Sequence, residues 1–123
     1  MTMSSADSAG LDGEEMLAKL HALALESDEA EVLTRTYLSP AHKRAAKRLG
    51  GWMESAGMKV RTDGIGNVIG RFGEDDGRPK LLIGSHFDTV RNAGKYDGAC
   101  GIIAAVACVE ALRDARLVLP FDV

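Results

Sequence analysis

Cysteine is scarce: Cys100 and Cys108 are the only two in 123 residues, and two cannot build a disulfide framework. Their spacing matches no common zinc or redox motif. Both fall in one apolar helical stretch, where a free cysteine behaves as a small hydrophobe. A reducing, cytoplasmic compartment is therefore expected. A basic excess is also missing. Fifteen Lys and Arg face 18 Asp and Glu, a formal net charge of -3, which argues against a nucleic-acid-binding face. No run reaches the ~18 apolar residues of a membrane span, so no membrane partner is expected. The opening MTMSSADSAG has neither the basic start nor the apolar core of a secretory signal. Residues 1–12 read as a disordered leader and residues 13–123 as one domain. Internal repeats and low-complexity tracts are absent from the sequence.

The remainder has the composition of an ordinary globular protein, 46% hydrophobic and 27% charged. Met16, Leu17, Leu20, Leu23 and Ala24 form an apolar stripe that predicts a helix over 14–26, with Asp12 and Glu15 in a capping arrangement. His21 lies beside that stripe and reads as a partly buried surface histidine. Ser39-Pro40 opens a second helix, serine as cap and proline in the first turn. Ala45, Ala46, Leu49, Trp52, Met53 and Ala56 form its buried face, and Gly57 ends it. Strands are predicted at 58–62 and 67–72. Between and within them stand Gly64, Gly66 and Gly70, near a dinucleotide fingerprint. Their spacing is G-x-G-x-x-x-G and no helix follows, so a hairpin is expected instead of a phosphate site. Lys80 to Ser85 reads as a central strand covered on both faces, because Leu81-Leu82-Ile83 shows no polar alternation. Residues 98–114 form a third helix, apolar almost all round and so deeply buried. Leu117 to Val123 begins a further strand. Strands and helices in this order predict an α/β layer fold, with a right-handed parallel crossover at the end.

Polar ligand-type residues follow the central strand directly, in GSHFDTVRNAGKYDG, Gly84 to Gly98. Open α/β sheets bind ligands at the carboxyl ends of strands. An imidazole at His86 and carboxylates at Asp88 and Asp97 suit a divalent metal of the zinc or manganese type. Asp88, two residues on, lies on the same side of an extended segment and can orient the His86 ring. Asp97 stands at the expected cap of the third helix, where backbone amides favour a carboxylate. Gly94 and Gly98 let the loop turn back towards His86. By spacing alone, a loop histidine with two unrelated aspartates remains an equal alternative.

GSHFDTV, followed by NAGKYDG at this separation, resembles the first metal-binding block of the M20-type metallopeptidase and amidohydrolase superfamily. LTRTYLSPAH at 33–42, WMESAGMKV at 52–60 and DGIGNVIGR at 63–71 resemble its hydantoinase/carbamoylase branch, the allantoate amidohydrolases and N-carbamoyl-L-amino-acid hydrolases. The resemblance covers residues 30–123. It implies a three-layer domain, with a mixed, largely parallel sheet covered by helices. It implies two divalent metal ions, zinc or manganese with cobalt or nickel also suited, in a homodimeric enzyme that hydrolyses a C–N bond of a small ureido or carbamoyl substrate. His86 would bind one metal, Asp97 would bridge both, and Asp88 would serve catalysis by orienting His86. The family's adjacent glutamates, one of them the general base, find no counterpart: Glu14-Glu15 sits on an amphipathic helix at the wrong end. An N-terminal portion of a catalytic domain, inactive alone, is the expectation. The alternatives are an aminopeptidase or deacylase of the same superfamily, or a non-catalytic α/β module that binds a partner through its last strand.

Overall fold

Helix α1, Gly13–Ala24, starts where Asp12 turns extended and its carboxylate accepts the Glu14 and Glu15 amides at 2.9 and 3.2 Å. The computed structural model describes residues 10–123, so most of the expected leader, residues 1–9, lies outside the described residues. Leu20 and Leu23 of α1 are buried, together worth roughly 3–6 kcal/mol. Glu15 does not close a capping box. It pairs with Lys19 at 3.0 Å, and Lys19 reaches on to Glu110 at 2.9 Å.

Helix α2, Pro40–Ser55, opens as its sequence predicts: the Ser39 hydroxyl accepts the His42 amide at 3.2 Å and Pro40 occupies the first turn. Gly57 ends it at φ +92°, a left-handed conformation that glycine adopts without steric cost. Two strands follow, β1 (Lys59–Thr62) and β2 (Val68–Arg71), paired antiparallel with Lys59 opposite Arg71. The expected hairpin forms. Asp63 organises its turn by accepting the amides of Ile65 and Asn67 at 3.0 and 2.9 Å. Helix α2 lies against both strands, and helix α3, Ala99–Asp114, lies against α1. The core joins Leu20, Leu23, Leu49, Phe87, Ile102, Ile103, Val106 and Val109.

The region around Lys80 departs from expectation. Lys80 to Ser85 is extended but pairs only at its first residues: Lys80 bridges Asp122 in parallel, and the Leu81 amide donates to the Asp122 carbonyl at 2.8 Å. Leu82 is 89% exposed, and Leu81 and Ile83 are exposed too. A strand covered on both faces needs neighbours on both edges and layers above and below, and the described residues supply only one short edge. The last predicted strand is likewise reduced to residues 121–123, where Val123 and Phe72 exchange amide–carbonyl bonds of 2.9 and 2.8 Å. Among the described residues the named sheet is the antiparallel pair β1–β2, and the Lys80–Asp122 bridge is its parallel extension. Helix α3 buries Ala99, Ile102, Ile103, Val106, Ala107 and Val109, but Cys100 and Cys108 are exposed rather than packed as small hydrophobes. Helix α3 packs on α1 and shares the core with Leu49 and Phe87, so the face carrying Ile102, Ile103, Val106 and Val109 is buried while Cys100, Gly101 and Cys108 stay exposed.

Candidate functional site

The extended segment after Leu81 brings His86 to the mouth of a cavity of ≈ 580 Å³, lined by Tyr37, His42, His86, Asp88 and the apolar side chains of Ile83 and Ile102. Either side of Asp88, Phe87 and Thr89 turn into the core while His86 and Asp88 face outward, the alternation of an extended chain. The two nitrogens of His86 have different partners. Nδ1–H donates to the Asp88 backbone carbonyl at 3.0 Å, with the Asp88 carboxylate at 3.5 Å. The main-chain carbonyl of Asp88 thus lies nearer the ring than the carboxylate expected from the sequence. Nε2 is left towards the Asp97 carboxylate, 3.7 Å away.

Asp97 is not the cap of α3. That position falls to Gly98, at φ 71° and ψ -52°, and no side chain caps the helix. The Asp97 backbone carbonyl accepts the Ala99 amide at 2.8 Å, and the carboxylate stays exposed. The left-handed turn at Gly98 moves the helix start one residue on and releases the Asp97 side chain to face His86. Gly98 also allows the approach itself: a Cβ there would lie 2.3 Å from the His86 carbonyl oxygen and 2.5 Å from its Cε1. Gly94 has open space around its Cβ position and a negative φ, so it carries no such requirement.

A nitrogen and an oxygen ligand, each about 2.1 Å from a tetrahedral ion, stand about 3.4 Å apart. The 3.7 Å between Nε2 and Oδ1 fits that edge with a small adjustment of either side chain. Among the described residues, no group of three or more His, Cys, Asp or Glu comes together to hold a metal ion. His86 and Asp97 are a pair.

Two residues behind the pair carry more than their sequence suggested. Arg35 is 1% exposed. Its Nε–H donates to the Phe87 carbonyl at 2.6 Å, and Nη1 donates to the carbonyls of Leu23 and Glu26 at 2.8 and 3.0 Å. Burial lowers its pKa from the guanidinium range, while the charges of Glu26 and Asp88 act to raise it. His42 is buried and stacks on the Phe87 ring with centroids 4.3 Å apart and 8° between planes; Tyr37 meets its other side edge-on. Burial pulls the His42 pKa below the ordinary imidazole value, Asp88 opposes this and Arg35 adds to it. Both residues belong to the LTRTYLSPAH stretch, and that motif was the only sequence signal for them. His21 is fully on the surface, its Nε2 3.0 Å from the Lys95 ammonium, and takes no part in the site.

No family model matches the chain. An allantoate deiminase of Arabidopsis thaliana is 49% identical over 106 residues, 85% of this chain and 20% of that protein. An N-carbamoyl-L-amino-acid amidohydrolase of Pseudomonas sp. (strain NS671) is 42% identical over 85 residues, 68% of this chain and 20% of that protein. Among solved structures, a hydantoinase/carbamoylase family amidase from Burkholderia ambifaria superposes with a TM-score of 0.85 at 30% identity, over 94% of this chain and 29% of that one. The chain thus spans about a fifth of the length of the curated relatives it matches. Sequence and backbone likeness over nearly all of its residues agree, and the chain belongs to the hydantoinase/carbamoylase family of amidases.

Proposed function

We propose that this chain is part of the catalytic domain of a metal-dependent amidohydrolase that cleaves a C–N bond of allantoate or an N-carbamoyl-L-amino acid. In this reading residues 13–123 contribute to a three-layer domain of a homodimeric cytoplasmic enzyme. His86 and Asp97 are metal ligands, Asp97 shared between two divalent ions of the zinc or manganese type. One observation carries the assignment: His86 Nδ1 is held by Asp88 while Nε2 faces the Asp97 carboxylate at 3.7 Å. That arrangement leaves Nε2 unprotonated and 3.7 Å from a carboxylate oxygen, a separation that suits two ligands of one ion. When bound, the ions supply Lewis-acid polarisation of a carbonyl and activation of water.

The residues of this chain have simpler tasks. Asp88 fixes the tautomer of His86. The exposed Asp97 carboxylate accepts no backbone amide among the described residues. Tyr37, His42 and Phe87 wall the cavity beside the pair. With only two ligands gathered among the described residues, the 123-residue chain supplied with zinc or manganese is expected to show no turnover of allantoate or N-carbamoyl amino acids. It is expected to take up zinc weakly, followed by isothermal titration calorimetry, and His86→Ala is expected to abolish that uptake. Zinc uptake unaltered by His86→Ala would overturn the ligand assignment.

A further inference from the structure

We propose that Arg35 is a positioning residue of this site: its buried guanidinium holds the Phe87–Asp88 peptide and so helps set which nitrogen His86 presents. The inference rests on the metal-ligand reading of His86, and it deepens that reading.

The contact is specific. The Nε–H bond ends on the carbonyl of Phe87, the residue between the two outward-facing side chains, at 2.6 Å. The held Phe87 carbonyl fixes the Phe87–Asp88 peptide plane, and the next plane, which carries the Asp88 carbonyl that accepts from His86 Nδ1 at 3.0 Å, is held through its Thr89 amide by the main chain of the same Arg35. The guanidinium is itself anchored at its far end by the Leu23 and Glu26 carbonyls, at the carboxyl end of α1. The backbone around it is stitched to the same loop: the Thr89 amide donates to the Arg35 carbonyl at 2.7 Å, and the Arg35 amide donates to the Thr89 hydroxyl at 2.8 Å. Farther along, the Ala93 amide donates to the Leu33 carbonyl at 2.8 Å. Among the described residues the side-chain hydrogen bonds of this buried cation end wholly on main-chain carbonyls, a costly way to fill space. Its planar fork reaches two segments at once, which a lysine ammonium on a single stem does not reproduce.

The test uses the 123-residue chain and its Arg35→Lys and Arg35→Met variants, with Lys19→Met as a destabilised control distant from His86. Long-range nitrogen–proton NMR of the His86 ring reads the tautomer directly, without any metal. In the wild-type chain and in Lys19→Met the Nδ1–H form is expected to dominate. In Arg35→Met the Nε2–H form is expected to gain at its expense, with an intermediate mixture in Arg35→Lys. Zinc uptake is expected to weaken about tenfold in the Arg35 variants and to hold in Lys19→Met. If Arg35→Met does not fold, Arg35→Lys carries the same readout. A folded Arg35 variant with the wild-type tautomer and zinc uptake would overturn the proposal. Loss of the Nδ1–H form in Lys19→Met as well would also overturn it, because the effect would then follow general instability. Failure of the ligand reading looks different: zinc uptake would be indifferent to His86→Ala while the tautomer still answered to Arg35.

Discussion

Gly98 stands closest to the candidate chemistry of any residue without a side chain. Gly98→Ala would add a Cβ within 2.3 Å of the His86 carbonyl oxygen, at a φ of +71°. At φ 71° and ψ -52°, a region residues with a Cβ rarely occupy, the conformation alone costs about 1–3 kcal/mol, and the collision adds to it. Chemical denaturation should show a loss of at least about that size, and the His86 ring signals should move. His42 offers a second measurement. Its folded pKa lies below the imidazole value of 6.5 because it is buried. The unfolded chain therefore takes up the proton first, and the contribution is present above about pH 6.5 and lost as pH falls through that value. Relative to His42→Phe, which can keep the stack on Phe87, the wild-type chain should lose stability between pH 7 and pH 5. At this scale the proximity of His86 to Asp88 and Asp97 was readable, because H-x-D after an apolar run and an aspartate before a helix are local patterns. Arg35 and His42 were not. Their roles depend on carbonyls and rings more than forty residues away, and nothing in the periodicity around them marks a buried guanidinium or a stacked imidazole.

The helices followed their sequence closely, for reasons that lie within a few residues of each end. Asp12→Ala removes the acceptor for two amides of α1 and should cost about 1 kcal/mol, with the His86 tautomer untouched. The clasp between α1 and α3 is different in kind. Burial acts to lower the Lys19 pKa, but bonds to Glu110 and Glu15 outweigh it and raise the pKa above the usual 10.5. The sign for a raised lysine is that its stabilisation is complete below the unfolded value and fades as pH rises through the folded one. Lys19→Met should therefore narrow its deficit against the wild-type chain above about pH 10.5, in a titration of unfolding free energy. The extended segments were less legible. Leu81-Leu82-Ile83 has the composition of a strand enclosed on both faces, yet enclosure is a property of neighbours rather than of the run itself. Asp122, absent from every sequence argument, is what fastens this region. Its fully buried carboxylate accepts the Glu74 and Asp75 amides at 3.1 and 3.2 Å. Asp122→Ala should cost about 1–3 kcal/mol through those orphaned donors.

Across the whole molecule, the apolar side chains of Leu81, Leu82, Ile83, Leu117 and Val118 are exposed. A surface of this kind favours association, and Leu82→Lys should shift the 123-residue chain towards monomer in sedimentation velocity at rising concentration, with stability changed by less than about 0.5 kcal/mol. That helices and strands share this chain was legible, because helix-spaced apolar stripes give way to a glycine-punctuated hairpin; the layering was not, since it depends on what surrounds these residues. The Arg35–Phe87 bond also has a temporal consequence. It joins residues 52 apart in the chain, so the intervening segment must close before the bond can form, and closure of so long a loop is entropically uphill until α2, the hairpin and the core have condensed. The helices can form early from local contacts. The orientation of His86 belongs to the last stage of folding, and it should be among the first features lost when the chain opens.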